Sequence, residues 1–233
     1  MKRALKILAL LVVLLPLGLA GYVWYLLQPR PQDLPLPAAL VSAETAEGRQ
    51  LLELAGYKAD YPALAETYQS QALGSYCGVA SSVIVLNALG ADVGQSDFFI
   101  DATDPVRTRM QVTLGGMSLV DLAGLLRAHG LAAQSLHGDQ LSLAEFRELV
   151  ARNLSTPDDY LLVNYQREAL GQGRVGHISP LAAYNADSDQ VLILDTASYK
   201  YPHTWVPLEL LYGAMQEQDS ATGRPRGLVE VSL

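Results

Sequence analysis

Between Ile7 and Leu27 the chain runs for twenty-one residues without a charge (ILALLVVLLPLGLAGYVWYLL). As a helix, that run is long enough to cross a hydrocarbon core of about 30 Å. At a terminus it has little soluble core to pack on, so residues 1–27 read as a membrane anchor or signal segment. Lys2, Arg3 and Lys6 precede the run and only Arg30 closely follows it. By the positive-inside rule the start lies in the cytoplasm and the rest outside, which in a bacterial chain is the periplasmic side of the inner membrane. Gly18-Leu19-Ala20 offers a small-x-small cleavage site, so removal and secretion stay open. The apolar run continues past it through Val23, Trp24 and Leu27, which favours an uncleaved anchor.

Residues 28–39 (QPRPQDLPLPAA) hold four prolines and read as a stiff spacer. No later proline-rich break or internal repeat divides residues 40–233, so they are expected to form one domain. With 50% hydrophobic and 17% charged residues over its 233 positions, the chain is not a disordered one. The net charge of −8 leaves no electrostatic footprint for a phosphate backbone, which argues against nucleic-acid binding.

Helices dominate the first half of this domain. Residues 42–55 read as a helix opened by Ser42. Cys77–Leu89 is apolar on nearly every side and reads as a buried helix closed at Gly90, although Val83-Ile84-Val85 leaves a strand open. Residues 118–128 and 142–152 each open with Ser and carry apolar residues at helical spacing, as amphipathic surface helices do. After Pro157 short apolar runs at 160–165, 176–184 and 190–194 read as antiparallel strands, with 185–189 as a turn. A helix at 207–216 and a strand at 227–232 close the chain. The expected class is α+β, a helical lobe and an antiparallel sheet lobe with a cleft between them.

One cysteine cannot form an intrachain disulfide or a multi-thiolate metal site. Cys77 is therefore either a buried small hydrophobe or a reactive thiol at the first turn of a helix, where free N–H groups favour thiolate. His177 begins an apolar strand after GQGRVG and supplies a base. Asp195 ends the next run, VLILD, and adjacent strands could set its carboxylate beside the imidazole. Cys77, His177 and Asp195 would then act as nucleophile, base and orienter. Gln71 could donate to an oxyanion, helped by the Cys77 backbone N–H. His129, His137 and His203 read as ordinary surface or core histidines.

The blocks SQALGSYCGVASSVIVLNALG, GHISPLAAYN and VLILDTASYKYPHTWVP, with the late GRPRG, resemble the catalytic domain of phytochelatin synthases, in the papain-like cysteine peptidase clan, over about residues 62–232. The resemblance implies a papain-like two-lobed fold, with Cys77 as nucleophile, His177 as general base, Asp195 as third member and Gln71 as oxyanion glutamine. It also implies that Asp219 and Arg226 hold the γ-glutamyl end of the substrate and that Lys200 contributes nearby. A γ-glutamyl group exposes an α-ammonium and an α-carboxylate, which one acid and one arginine complement. Ser198 stands where the family usually has an arginine, so one charged contact is missing or replaced.

The implied reaction cleaves glycine from glutathione through a γ-Glu-Cys acyl-enzyme. It is expected to hydrolyse mainly, with phytochelatin synthesis as a weaker activity. No cofactor is expected to bind tightly; cadmium or zinc would arrive as a thiolate complex of glutathione, as substrate or activator. The expected partners are glutathione, related thiol peptides and the membrane, with a homo-oligomer left open. Two other readings remain, a bacteriocin-leader-type papain-like peptidase and a non-catalytic, membrane-tethered thiol-peptide binder.

Overall fold

Seven short strands pair into one antiparallel sheet, and the computed structural model that shows it describes residues 2–233, with the side chains of residues 12–19 and 21–233. Helix α1 (Lys2–Leu27) leads. Its described apolar side chains as far as Leu26, Leu15 and Trp24 among them, are exposed. The side chains of residues 7–11 and 20 of the uncharged run lie outside the described residues. Among the described residues no helix is long and apolar enough to cross a membrane, so the expected span gains no support there.

Residues 28–40 lie against the domain. Gln32 N–H donates to Tyr199 C=O at 2.8 Å and Leu34 N–H to Lys200 C=O at 2.9 Å, while Leu40 is buried in the core. The stretch expected to be a stiff spacer is hydrogen-bonded along the globule as a strap. Strand β1 (Val41–Ser42) follows, then α2 (Ala46–Leu54). Thr45 rather than Ser42 caps α2, accepting from Gly48 N–H, because Ser42 is taken up by pairing with Thr204. Helix α3 (Tyr61–Glu66) precedes α4 (Cys77–Ala88), where the helical reading wins over the strand: residues 78–86 are all buried.

Helix α5 (Arg109–Gly115) was not anticipated; α6 (Leu119–Ala128) starts at the Ser118 capping box as expected. Strands and helices then follow as β2 (Ala132–His137), α7 (Leu143–Asn153), β3 (Asp159–Gln166), β4 (Gly176–Asn185), β5 (Gln190–Ile193), β6 (Thr204–Pro207), α8 (Leu208–Gln216) and β7 (Gly227–Ser232). The sheet order is β1-β6-β5-β4-β3-β7-β2.

Side chains alternate across this sheet, as the two-residue period of a strand requires. On β3, Tyr160 and Leu162 join one core with α4 and α6, while Leu161 and Val163 join the other with α7 and α8. The sheet therefore has a core on each face. Helix α6 is no mere surface element, since Leu119, Leu122, Ala123, Leu125 and Leu126 are buried against it. This layering sets the first turn of α4 beside β4, where Ser81 Oγ donates to Cys77 C=O at 2.8 Å and contacts Ile178 C=O at 3.2 Å.

Candidate active site

The α4 start has no side-chain cap at Tyr76, so the N–H groups of its first turn keep no capping partner. Cys77 stands at that start, partly exposed, in a cleft of about 430 Å³ that also contains His177, Asn164, Asp219 and Arg226. The helix start was expected to favour thiolate. Burial outweighs it and pushes the Cys77 thiol up, against the lowering influence of the Ile178 and Gly78 backbone and of Arg167. Gly78 keeps the turn narrow, because a Cβ there would collide with the Met117 side chain.

His177 begins β4 opposite Tyr165 on β3, whose ring meets the imidazole edge-on at 5.8 Å. Its Nε2 lies 3.0 Å from Asp195 Oδ1. A carboxylate can only accept, which assigns the proton to Nε2 and leaves Nδ1 as the basic nitrogen. Burial and the Arg167 charge push the imidazole down to about 4, although Asp195 pulls the other way. Both shifts favour the uncharged forms of the thiol and the imidazole.

Asp195 is clamped. Arg167 Nη2 reaches both of its oxygens at 2.7 Å, Ala197 N–H donates to Oδ1 at 2.8 Å, and its own carbonyl accepts from Tyr68 OH at 2.7 Å. Burial works against ionisation here, but Arg167 and His177 outweigh it and hold the carboxyl well below its ordinary range. Arg167 is itself buried between the Tyr165 and Tyr201 rings, at 5.8 and 5.1 Å. Sequence reasoning missed this arginine, which follows β3 in an ordinary polar loop. The available signal was Asp195 itself, since a carboxylate ending an apolar strand needs a cation or donors if it is to be buried.

Gln71 is buried, but its amide serves the loop before the nucleophile. Nε2 donates to Leu73 C=O and Gly74 C=O, both at 2.9 Å, and lies 3.2 Å from Tyr199 OH, while Oε1 has no partner. The donor expected at an oxyanion is engaged with these backbone carbonyls.

Asp219 and Arg226 do meet in the cleft. Arg226 Nη1 donates to Asn164 Oδ1 at 2.9 Å and lies 3.8 Å from Asp219 Oδ2; its buried Nε has no partner. Burial also pushes the guanidinium down from its ordinary value. Gly176 lies close against it, and a Cβ there would push the guanidinium aside. Asn164, on β3, is a second residue that sequence reasoning missed. Lys200 does not join the cleft: with Ser198 and His203 it lines a separate cavity of about 290 Å³. Among the described residues no group of three or more His, Cys, Asp or Glu could hold a metal ion.

Comparison with known proteins yields a match to a family described as phytochelatin synthase over residues 31–228, a span that begins inside the strap. The chain is 35% identical over 211 residues to a protein named glutathione gamma-glutamylcysteinyltransferase 3 from Lotus japonicus, covering 85% of this chain and 43% of that protein. It is 36% identical over 211 residues to glutathione gamma-glutamylcysteinyltransferase 1 from Triticum aestivum, covering 85% and 41%. The Schizosaccharomyces pombe glutathione gamma-glutamylcysteinyltransferase is 28% identical over 206 residues, covering 83% and 49%. The chain thus spans less than half the length of these curated relatives.

Proposed function

The chain belongs to the phytochelatin synthase family, and from that premise we propose that it is a papain-like, two-lobed thiol acyltransferase and peptidase that removes glycine from glutathione. The observation that carries this reading is the hydrogen bond of His177 to the clamped Asp195 in the cleft that holds Cys77.

In the proposed reaction His177 Nδ1 takes the thiol proton as Cys77 sulfur attacks the carbonyl of the Cys–Gly amide. Since both shifts favour the uncharged forms, the proton is taken to move with the attack. The Cys77 backbone N–H receives the developing oxyanion. As the C–N bond breaks, His177 returns the proton to the departing glycine nitrogen, leaving a γ-Glu-Cys thioester. Water then yields γ-glutamylcysteine, or the α-amine of a second thiol peptide takes the acyl group and lengthens the chain. With Ser198 in place of the family's arginine, hydrolysis dominates.

Arg226 takes the α-carboxylate of the γ-glutamyl group and Asp219 its ammonium. This is supported by the unpartnered Arg226 Nε and the loose 3.8 Å pair, which leave binding capacity for a zwitterion. Gln71 orders the loop ahead of Cys77. Cadmium or zinc enters as a thiolate complex of the substrate. Incubating the full-length protein with glutathione and quantifying glycine, γ-glutamylcysteine and oligomers tests the reading. Glycine and γ-glutamylcysteine in excess are expected, whereas abundant oligomers without added metal would contradict the hydrolytic balance.

A second reading, a non-catalytic binder of thiol peptides, draws on the upward push that burial gives the Cys77 thiol. Saturable glutathione binding without any glycine release would favour it. The uncharged run at residues 7–27, with Lys2, Arg3 and Lys6 ahead of it, is the basis for proposing an anchor with the domain on the periplasmic side. Carbonate extraction of membranes from an expressing bacterium tests this: retention is expected, and release into the supernatant would overturn it.

A further inference from the structure

The last residue of α1 is tied into the loop that presents the nucleophile. As the final helical residue, Leu27 has a carbonyl with no partner inside its helix. It accepts from Gly74 N–H at 2.9 Å, in the loop immediately before Cys77. Beyond it, Gln32 and Leu34 bond to Tyr199 and Lys200, in the loop after Asp195. The segment is thus held at both flanks of the catalytic group. Leu26, exposed, and Leu27, half-buried, line the same cleft as Gly74, Ser75 and Cys77.

We propose that Leu26 and Leu27 are specificity-determining residues, an apolar rim on the Cys77 side of the cleft that limits the size of the group beside the scissile amide. This rests on the proposed glutathione cleavage and holds whether or not α1 enters a membrane. Gly74 and Ser75 lie within three positions of the nucleophile, so a rim against them stands where groups next to the attacked carbonyl must fit. Glycine leaves without a side chain; a larger residue there would press on the leucines. One or two methylenes of misfit in an apolar site are worth about tenfold or more in kcat/KM.

The experiment uses the full chain and two readouts. The first is the ratio of kcat/KM for γ-Glu-Cys-Leu to that for γ-Glu-Cys-Gly. The second is the ratio of alkylation rates by N-phenylmaleimide and iodoacetamide, which report on Cys77 alone because it is the single cysteine. The double variant Leu26→Ala, Leu27→Ala should raise both ratios about tenfold, and Leu27→Trp should lower them. Leu15→Ala, remote on α1, should change neither. Alkylation ratios unmoved by both variants, or equal acceleration of the two reagents, would overturn the rim. If no amino acid is released from either tripeptide while the alkylation ratio shifts as expected, the glutathione reading fails and the rim stands.

Discussion

Two buried ionic groups, one reaching the cleft through His177 and the other lining it directly, are built on opposite plans. Around Asp195 every neighbour is in place: His177, Arg167 and the Ala197 N–H all bond the carboxylate within 3.0 Å. Around Arg226 the contacts are incomplete, with a 3.8 Å approach to Asp219 and an Nε that bonds nothing. A fully satisfied network is rigid and already organised, which suits holding one imidazole in one tautomer. An under-satisfied buried guanidinium costs free energy until a ligand completes it, which suits recognition. If, as proposed, the first group serves geometry and the second serves binding, the same kind of substitution should act on them differently.

The largest expected effect lies in the satisfied group. Arg167→Ala strands a buried carboxylate and should cost about 3–5 kcal/mol of stability, read from the urea midpoint at constant m-value. Adding Asp195→Asn should restore much of that stability but not the glycine-release rate. If Arg167→Ala alone unfolds no more easily than wild type, the clamp does not carry the burial of Asp195. In the under-satisfied group, Arg226→Gln should leave the urea midpoint within about 1 kcal/mol. It should raise the KM for glutathione by about 10–100-fold, with a smaller change in kcat. A loss dominated by stability would erase the contrast between the two groups.

Acid should separate the groups again. The folded imidazole of His177 is pushed below its ordinary 6.5 to about 4. The unfolded chain therefore binds that proton first, and stability is full above about pH 6.5 and falls as pH drops toward 4. The Asp195 carboxyl, held low, adds a further loss in the same direction below its ordinary 3.8. Urea midpoints taken from pH 7.5 to 4 should decline in wild type and decline less in His177→Gln; parallel curves would contradict a buried neutral imidazole. The smallest effect belongs to Lys200, which lies outside the cleft. Lys200→Ala should change kcat/KM by less than about threefold, consistent with a charge kept at a distance in water.

The same contrast explains what the sequence could tell. Residues in continuous apolar runs were legible: the largely buried α4 behind Cys77, and the β4 and β5 runs that deliver His177 and Asp195. Val83-Ile84-Val85 looked like a strand locally, but burial on every side of α4 overrides β-branched preference. Illegible were contacts made across the chain by residues of ordinary polar appearance. Arg167 and Asn164 acquire their roles only once β3 is laid beside β4 and β7. Strands β1 and β6 are two and four residues long and carry little pattern of their own. The direction of the Cys77 shift depended on how deeply α4 is buried, and the orientation of the Gln71 amide on nearby carbonyls, neither of which spacing encodes. The prolines of the strap mark extended backbone, but whether extended backbone stands free or docks depends on what it meets.

Glycine release from glutathione by the wild-type chain and by Cys77→Ser tests the central claim most directly. The account predicts steady release by the wild type, with γ-glutamylcysteine as co-product, and a rate lower by about a thousandfold or more in the variant, whose fold is retained. Equal rates in the two proteins, or no glycine from a folded wild type, would contradict it.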